Sequence, residues 1–584
     1  MWQFLPTALL LAVGLLLVQV FRLDPDPHHD GYMFSAARAV SSGLSVHGDV
    51  FYQYGPITAW LHGGMLRVFG GHLLVLRLVS VAAILVALVL SFHAARKIYS
   101  EQVAFIGSTL WIGLASFFSQ DFPPLAWSSD VALSLQALIL FLLARRGQHT
   151  SLHNPKPVFL AGVLLVVLLL TRLSTGALSL MALIVIILLC PQRWKLIRPF
   201  FAGVTSMLAI VALLLTISGS IVEWWRQTIQ IPRHIYLSSL GEFGASSVGS
   251  LILTKGLPLL ALFVCAANVI TVVARVEDRW KRGGLEILGF LCIGGVLWIT
   301  SEAGNGSLIG REPLLWSILL SVPLLVVHQD LSAFIDSREG AEIVFVGLSI
   351  ASLIQVFPIA DPRHLWWSIF PGIFPATNLF LKHFRSGLGR VVVGLVVGST
   401  VVSATSGLIE ALRVPRYELS SSVFDGMLAR RDLTLAIQDE LVVMKEMEQI
   451  HGPRPSLNLC VDGLYAGLSG EIGFPDPYFV DGWDFPSEVH DQNERTEFVR
   501  REQPFIWLCP PVVQPSVEED APTTSEILDP FGYRLVERRK CLKDDPYFNE
   551  WPRLVYLAVP TDWRSLPLEA SIALTSKCEV KDGN

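Results

Sequence analysis

From the N-terminus to about residue 412, apolar stretches of roughly twenty residues alternate with short charged connections, the rhythm expected of helical membrane spans. About thirteen windows qualify, near 4–22, 73–93, 102–119, 129–144, 157–171, 174–190, 200–218, 256–274, 285–301, 313–328, 341–357, 366–381 and 390–411. One long polar excursion, Asp24 to Phe69, separates the first two. Within it Tyr32, Phe34, Ala37 and Val40 predict a short amphipathic helix closed by Gly43, and Ile57, Trp60, Leu61, Met65 and Val68 predict a second. Both are expected to lie flat on the bilayer. From about Arg413 the spans stop: a charged helical pattern runs from Ser422 to Ile450, and SLNLCVDG, PFIWLCPP, GYRLVERRKC and RLVYLAVP read as short strands. The expected architecture is an α-helical polytopic membrane domain over 1–412, with a first loop at 23–72, followed by a small soluble α/β domain over 413–584.

Composition agrees with this class. Of 584 residues, 52% are hydrophobic and 16% charged, too apolar a mixture for an ordinary soluble protein. Net charge is −6 and the basic residues form no face or tail, which removes nucleic acid from the expected partners. Arg96 and Lys97, Arg145, Arg146 and Lys156, Arg193, Lys195 and Arg198, the 275–282 group, Arg338, and Lys382, Arg385 and Arg390 all fall on one side of the spans. By the positive-inside rule that side is cytoplasmic, which places the N-terminus inside and both the first loop and the C-terminal domain outside the cytoplasm. The first apolar segment lacks a basic n-region and a small-x-small cleavage site, so it is expected to remain as a span. Seven cysteines show no metal-ligand spacing; disulfides among Cys460, Cys509, Cys541 and Cys578 and free thiols are equally open.

Candidate chemistry starts in the first loop, where Asp24, Asp26, His28, His29 and Asp30 fall within seven residues beside a membrane surface. Taken alone, Asp30 reads first as the N-cap of the helix that follows. Asp26 and His29 with their neighbours offer ligands for a divalent cation, but two prolines divide them and the spacing fits no defined metal loop, so a solvated linker is favoured. Asp130 opens the fourth span, as a site residue or as a cap. Among cations on the same face, Arg172 interrupts two apolar runs, Arg311 sits in GSLIGREPLLW, and Arg226 and Arg233 fit a solvated surface at least as well as a site. The segment QVFPIADPRHLWW groups Asp361, Arg363 and His364, either as ligands for substrate hydroxyls and phosphate or as a capped turn anchored by Trp366 and Trp367.

The first loop resembles that of the glycosyltransferase C superfamily. An acidic residue past the first span, an amphipathic helix ending in Ser42-Gly43, the run Asp49-Val50-Phe51-Tyr52, and Tyr54-Gly55-Pro56 opening a helix that ends at Phe69-Gly70 form its first-loop layout. The protein O-mannosyltransferase and lipid A aminoarabinose transferase branch is the most similar. The resemblance implies inverting transfer of a sugar from a polyprenyl-phosphate carrier to an acceptor outside the cytoplasm, with Asp30 as the base. It also implies substrate-binding roles for Asp49, Tyr54 and Asp130 and a phosphate role for Arg172. Asp361, Arg363 and His364 resemble a Pro-x-x-Asp-x-x-His-Leu loop of uncharacterised bacterial members. Two departures stand out: Gly31 replaces a glutamate that often follows the catalytic aspartate, and Gly55 replaces a lysine. Gly55 would let backbone approach a ligand closely but brings no charge.

The sequence therefore predicts a plasma-membrane hexosyl- or pentosyltransferase whose partners are a lipid-phosphate sugar donor, an extracytoplasmic acceptor and the bilayer. No cofactor is required by the residues, a divalent cation remaining an option. A lipid-linked glycan flippase is the main rival, weakened by the absence of an evident repeat and by polar residues clustering on one face. A non-catalytic envelope scaffold is the second.

Overall fold

The protein is represented by a computed structural model that describes residues 24–26, 29–117, 126–144, 155–189, 193–233, 340–356, 362–383, 415–419, 423–452 and the strands and short segments named below, with scattered positions at 14–22 and 405–413. The described part is mainly helical. Helices α1 (His29–Ser41) and α2 (Pro56–Phe69) are the two first-loop helices, and α3 (Leu73–Ile98), α4 (Glu101–Phe117), α5 (Ser128–Leu143), α6 (Pro155–Leu169), α7 (Leu173–Leu189) and α8 (Arg193–Ile217) follow as a bundle. Short α9 (Ile221–Trp225) runs into a π-helical turn, Arg226–Gln230. Later come α10 (Gly340–Ser352) with a 3-10 turn at Leu353–Val356, α11 (Pro362–Ile369), α12 (Ile373–His383) and α13 (Arg431–His451).

Among the described residues α3 and α8 are long and apolar enough to cross a membrane, and four shorter apolar helices accompany them. The faces of α7 and α8 turned away from the bundle carry Met181, Val185, Leu208, Ile210, Leu213 and Ile217, all exposed, as expected of surface meant for hydrocarbon. The expected spans at 256–274, 285–301, 313–328 and 390–411 lie outside the described residues. One expectation is corrected: 366–381 is not a continuous span but the two helices α11 and α12, separated at Phe370-Pro371-Gly372. Proline lacks the N–H and disfavours helix in the residue before it, so the chain turns there.

Glycines set how closely the first loop docks. A Cβ at Gly63 of α2 would lie 2.6 Å from Val40 Cγ1 and 3.1 Å from the Ala37 carbonyl, so the two loop helices meet almost backbone to backbone. A Cβ at Gly55 would lie 1.9 Å from the Leu170 carbonyl, which also accepts a hydrogen bond from Ile57 N at 3.2 Å. Gly55 is therefore occupied by protein backbone rather than left open to a ligand. Its contact holds the start of α2 against the turn that carries Thr171 and Arg172.

The C-terminal segment returns onto the first loop. Strands β1 (Tyr417–Glu418) and β2 (Leu428–Ala429) form a small antiparallel hairpin. The helix expected from Ser422 starts only at Arg431, because Val423–Gly426 turn, with Gly426 at φ 77°, to close that hairpin. Leu73 N donates to the Val423 carbonyl at 2.9 Å, and Arg22 donates to the Leu412 carbonyl at 3.2 Å. Asp24 is buried, accepting from Arg416 Nη1 at 2.6 Å and from Arg430 N at 2.9 Å, with Arg430 Nε 2.7 Å from its other oxygen. All four predicted strand segments form strands: β3 (Ser456–Leu459), β4 (Phe505–Leu508), β5 (Tyr533–Arg539) and β6 (Leu554–Pro560), in sheet order β3-β4-β6-β5. The β3–β4 pair is parallel and the others antiparallel.

Removing a buried carboxylate from between two guanidinium groups leaves their charge uncompensated. Asp24→Ala is expected to lower stability by roughly 3 kcal/mol and to expose the 412–430 stretch to limited proteolysis. Wild-type melting and cleavage would show that the tie contributes nothing.

Candidate functional site

Helix α1 begins at the acidic stretch, and its first turn carries Asp30, whose side chain is fully buried. Asp30 N donates to the Asp26 carbonyl at 3.0 Å, and Asp26 N returns a bond to Asp30 Oδ2 at 3.0 Å. The residue is therefore not the N-cap of α1: it lies within the first turn, and its Oδ2 holds the backbone of the preceding 26–30 turn instead of a free N–H of the helix. That same Oδ2 takes Arg77 Nε at 3.1 Å and Arg77 Nη2. Arg77, itself fully buried on α3, also donates to the Asp24 carbonyl at 2.9 Å. Asp30 Oδ1 is buried and has no partner. A carboxylate clamped through one oxygen and unpaired at the other is oriented, and its free lone pairs await a donor.

Ser80 lies one turn beyond Arg77 and bonds Asp130, which connects the first acid to the second. Asp130 is buried in the first turn of α5, where Trp367 Nε1 donates to its Oδ1 at 2.9 Å. Arg172, in the turn between α6 and α7, bonds Ser129 and places its guanidinium 5.8 Å from the Trp367 ring centre. His364 packs edge-on against the same indole, ring centres 5.2 Å apart. Helix α11 holds this indole in place because the neighbouring Trp366 stacks on Trp111 at 4.7 Å and donates to its carbonyl at 2.9 Å.

An aromatic group joins the two acids from the other side. Tyr32 stacks on Tyr52 at 5.6 Å and lies 6.3 Å from Trp127, while Tyr54 meets Trp127 edge-on at 5.3 Å. The Tyr32 hydroxyl accepts from Gln53 N at 2.9 Å, and Thr228 donates to the Tyr54 carbonyl at 3.3 Å, so the 52–54 stretch is held at both ends.

The structure thus gathers Asp30, Tyr54, Asp130, Arg172 and His364 at one end of the bundle. Asp49 lies apart from them, exposed, with its carboxylate accepting from Ser45 N at 2.7 Å within a tight turn. Arg226 pairs with Glu223 at 3.3 Å on the surface, and Arg233 is exposed. Arg311, Asp361 and the side chains of Arg363 and His29 lie outside the described residues. Asp26 is buried beside Asp30, but Asp24 and Asp30 already face guanidinium groups, and no cluster of three metal-ligating residues forms among the described residues. No chemical step is assigned to a divalent cation.

Sequence reasoning passed over Arg77. Its signal was a lone arginine inside the apolar run LLVLRLVS, which needs a buried counter-charge. Trp367 was read as an interface anchor, and its role as the contact shared by Asp130, Arg172 and His364 depends on tertiary placement.

Two loop histidines are neutralised by burial. His62 on α2 is fully buried with neither ring nitrogen bonded, and desolvation brings its pKa from 6.5 to about 4. His47, held at φ 67°, has Nδ1 3.3 Å from Gln227 Oε1; desolvation brings it to about 4 as well, the Gln227 bond opposing the shift. The π-helical turn presents Gln227, which also accepts from Tyr52 N at 3.0 Å.

No protein-family model matches the chain, and no curated protein matches it significantly. Solved structures do. The chain is similar to ArnT from Cupriavidus metallidurans bound to undecaprenyl phosphate, at 16% identity and a TM-score of 0.44, covering 95% of this chain and 97% of that one. The same protein in its apo state gives 14% identity and a TM-score of 0.42 over 96% and 98%. The archaeal oligosaccharyltransferase AglB from Archaeoglobus fulgidus, in complex with an inhibitory peptide and a dolichol-phosphate, gives 16% identity and 0.42 over 76% of this chain and 58% of that one.

The histidines set a pH dependence whose sign follows from linkage. Between the folded pKa of about 4 and the unfolded 6.5, the unfolded chain binds more protons, so stability is complete above about pH 6.5 and falls as pH drops toward 4. Melting in detergent across that range should show the loss, and His62→Asn should reduce it by about half, His47 supplying the remainder. A pH-independent melting temperature would contradict the burial of these rings.

Proposed function

We propose that the chain is an integral-membrane inverting glycosyltransferase that moves a sugar from a polyprenyl-phosphate carrier to an acceptor outside the cytoplasm. The observation that carries this reading is the divided Asp30 carboxylate, with Oδ2 fixed by Arg77 and Asp26 N and Oδ1 buried without a partner. A general base needs that arrangement: one oxygen holds the group in place and the other takes a proton at a defined position.

In the reaction the acceptor hydroxyl gives its proton to Asp30 Oδ1 as its oxygen attacks the anomeric carbon. The bond from that carbon to the carrier phosphate breaks, and the electron pair leaves on the phosphate. Attack from the face opposite the leaving group inverts the anomeric centre. Charge builds on the departing phosphate, and Arg172 is the described cation suited to meet it, because a guanidinium presents two parallel N–H groups to phosphate oxygens. Gly55, which replaces the lysine of similar sequences, packs on Leu170 and so brings the Arg172 turn to the same corner of the site. Arg311 and Arg363 remain candidates for the same task, Asp361 and His364 for acceptor hydroxyls, and Asp49 and Tyr54 for substrate contacts. The division at residue 412 and the extracytoplasmic placement of the first loop and C-terminal domain belong to this proposal.

Purified protein in detergent, offered a panel of radiolabelled polyprenyl-phosphate sugars, should transfer at least one of them. Asp30→Asn should reduce transfer by a factor of about 100 or more; because it also removes the counter-charge of Arg77, the comparison is made on variant protein whose melting shows it folded and whose binding assay shows it holds the carrier. Full activity in that variant would reject Asp30 as the base. Failure of the wild type to transfer or bind any lipid-linked sugar would reject the class.

A further inference from the structure

The segment after α8 reaches back to hold the first loop. Ser220 bonds Ser45, their Oγ atoms 2.5 Å apart, and a Cβ at Gly48 would lie 3.0 Å from Ser220 Oγ. Further on, the π-helical turn Arg226–Gln230 buries two consecutive side chains, Gln227 and Thr228. Gln227 Nε2 donates to the His47 carbonyl at 3.1 Å while its Oε1 accepts from Tyr52 N at 3.0 Å, so one amide spans the loop from residue 47 to residue 52. Thr228 donates to the Tyr54 carbonyl at 3.3 Å. Turns of this kind are frequent at functional sites. His47, at φ 67°, adopts a backbone conformation uncommon for a residue with a Cβ, which persists where the surroundings impose it.

What this clasp delivers is Tyr54. In the aromatic group, Tyr32, Tyr52 and Trp127 are buried, whereas Tyr54 is half-buried and keeps part of its ring open. Its ring meets Trp127 edge-on at 5.3 Å, and the Trp127 carbonyl accepts from Asp130 N at 3.3 Å. The next residue, Gly55, packs on the Leu170 carbonyl at the turn that carries Arg172. Tyr54 therefore has the clasp on one side and the corner of Asp130 and Arg172 on the other. An aromatic ring offers an apolar surface to the C–H face of a sugar.

We propose that Gln227 is a positioning residue for the transfer, whose amide fixes the 47–52 turn so that Tyr54 presents its ring to the donor's sugar beside Asp130 and Arg172. The inference rests on the transferase reading and adds to it a residue that acts on the substrate through another.

The test compares wild type, Gln227→Met, Tyr54→Ala and the double variant as full chains in detergent, each shown by melting to be folded. The donor is whichever polyprenyl-phosphate sugar of the panel the wild type transfers, and bare polyprenyl phosphate is the competitor. Gln227→Met keeps the length of the side chain and removes both bonds. It should raise the donor KM about tenfold, change kcat less, and leave inhibition by bare polyprenyl phosphate as it was. Because Gln227 acts through Tyr54, the double variant should bind the donor no more weakly than Tyr54→Ala. Thr228→Val loses only the bond to the Tyr54 carbonyl and should shift KM in the same direction; it decides the question if Gln227→Met does not fold. An unchanged donor KM in the folded variants, an equal loss for bare polyprenyl phosphate, or additive effects in the double variant would each overturn the inference and leave the transferase reading standing. If the wild type neither transfers nor binds any lipid-linked sugar, both fail.

Discussion

A guanidinium and a carboxylate buried together hold the first loop in place. Arg77 on α3 and Asp30 on α1 are both fully buried, and neither charge is tolerable there without the other. The pair draws α1 down onto the long helix, and Arg77's further bond to the Asp24 carbonyl fixes the 24–30 turn above it. Because Arg77 takes only Oδ2, the same interaction that satisfies the fold leaves Oδ1 oriented and unsatisfied. In the proposed reaction, structural and chemical roles are divided between the two oxygens of this side chain.

Asp24 extends this logic outward. Its carbonyl faces Arg77 and its carboxylate faces Arg416 and Arg430, so a single residue connects the 24–30 turn to the returning C-terminal segment. On the other flank, close backbone packing takes the place of charge. Gly63 lets α2 meet α1, and Gly55 lets α2 meet the Leu170 turn, so Arg172 arrives beside Asp130 without a long side chain having to reach across. Trp367 then completes the corner by bonding Asp130 and facing Arg172.

Much of this was legible in the chain because it depends on local pattern. The two amphipathic loop helices, the bundle helices α3 to α8 and the four C-terminal strands follow from periodicity and turn residues. The break at Phe370–Gly372 was hidden because the residues on both sides are apolar and the window ran through the proline. The late start of α13 was hidden because its charged pattern extends back across a turn that only Gly426 marks. Asp30 stands out through its sequence neighbourhood and Arg77 through being a lone arginine in an apolar run, but that the two pair with each other emerges only from the fold. Gly55 was read as room for a ligand, although the carbonyl that fills that room lies more than a hundred residues away in the chain.

The central claim is that Asp30 Oδ1 faces the reacting centre while Arg172 faces the departing phosphate. It is tested most directly by an experimental structure of the full chain with a non-transferable polyprenyl-phosphate sugar analogue. The account predicts lipid phosphate on the Arg172 guanidinium and, beside the anomeric carbon, a space for the acceptor hydroxyl bounded by Asp30 Oδ1. Phosphate bound elsewhere, with Asp30 still sealed behind Arg77 and out of reach of the sugar, would contradict it.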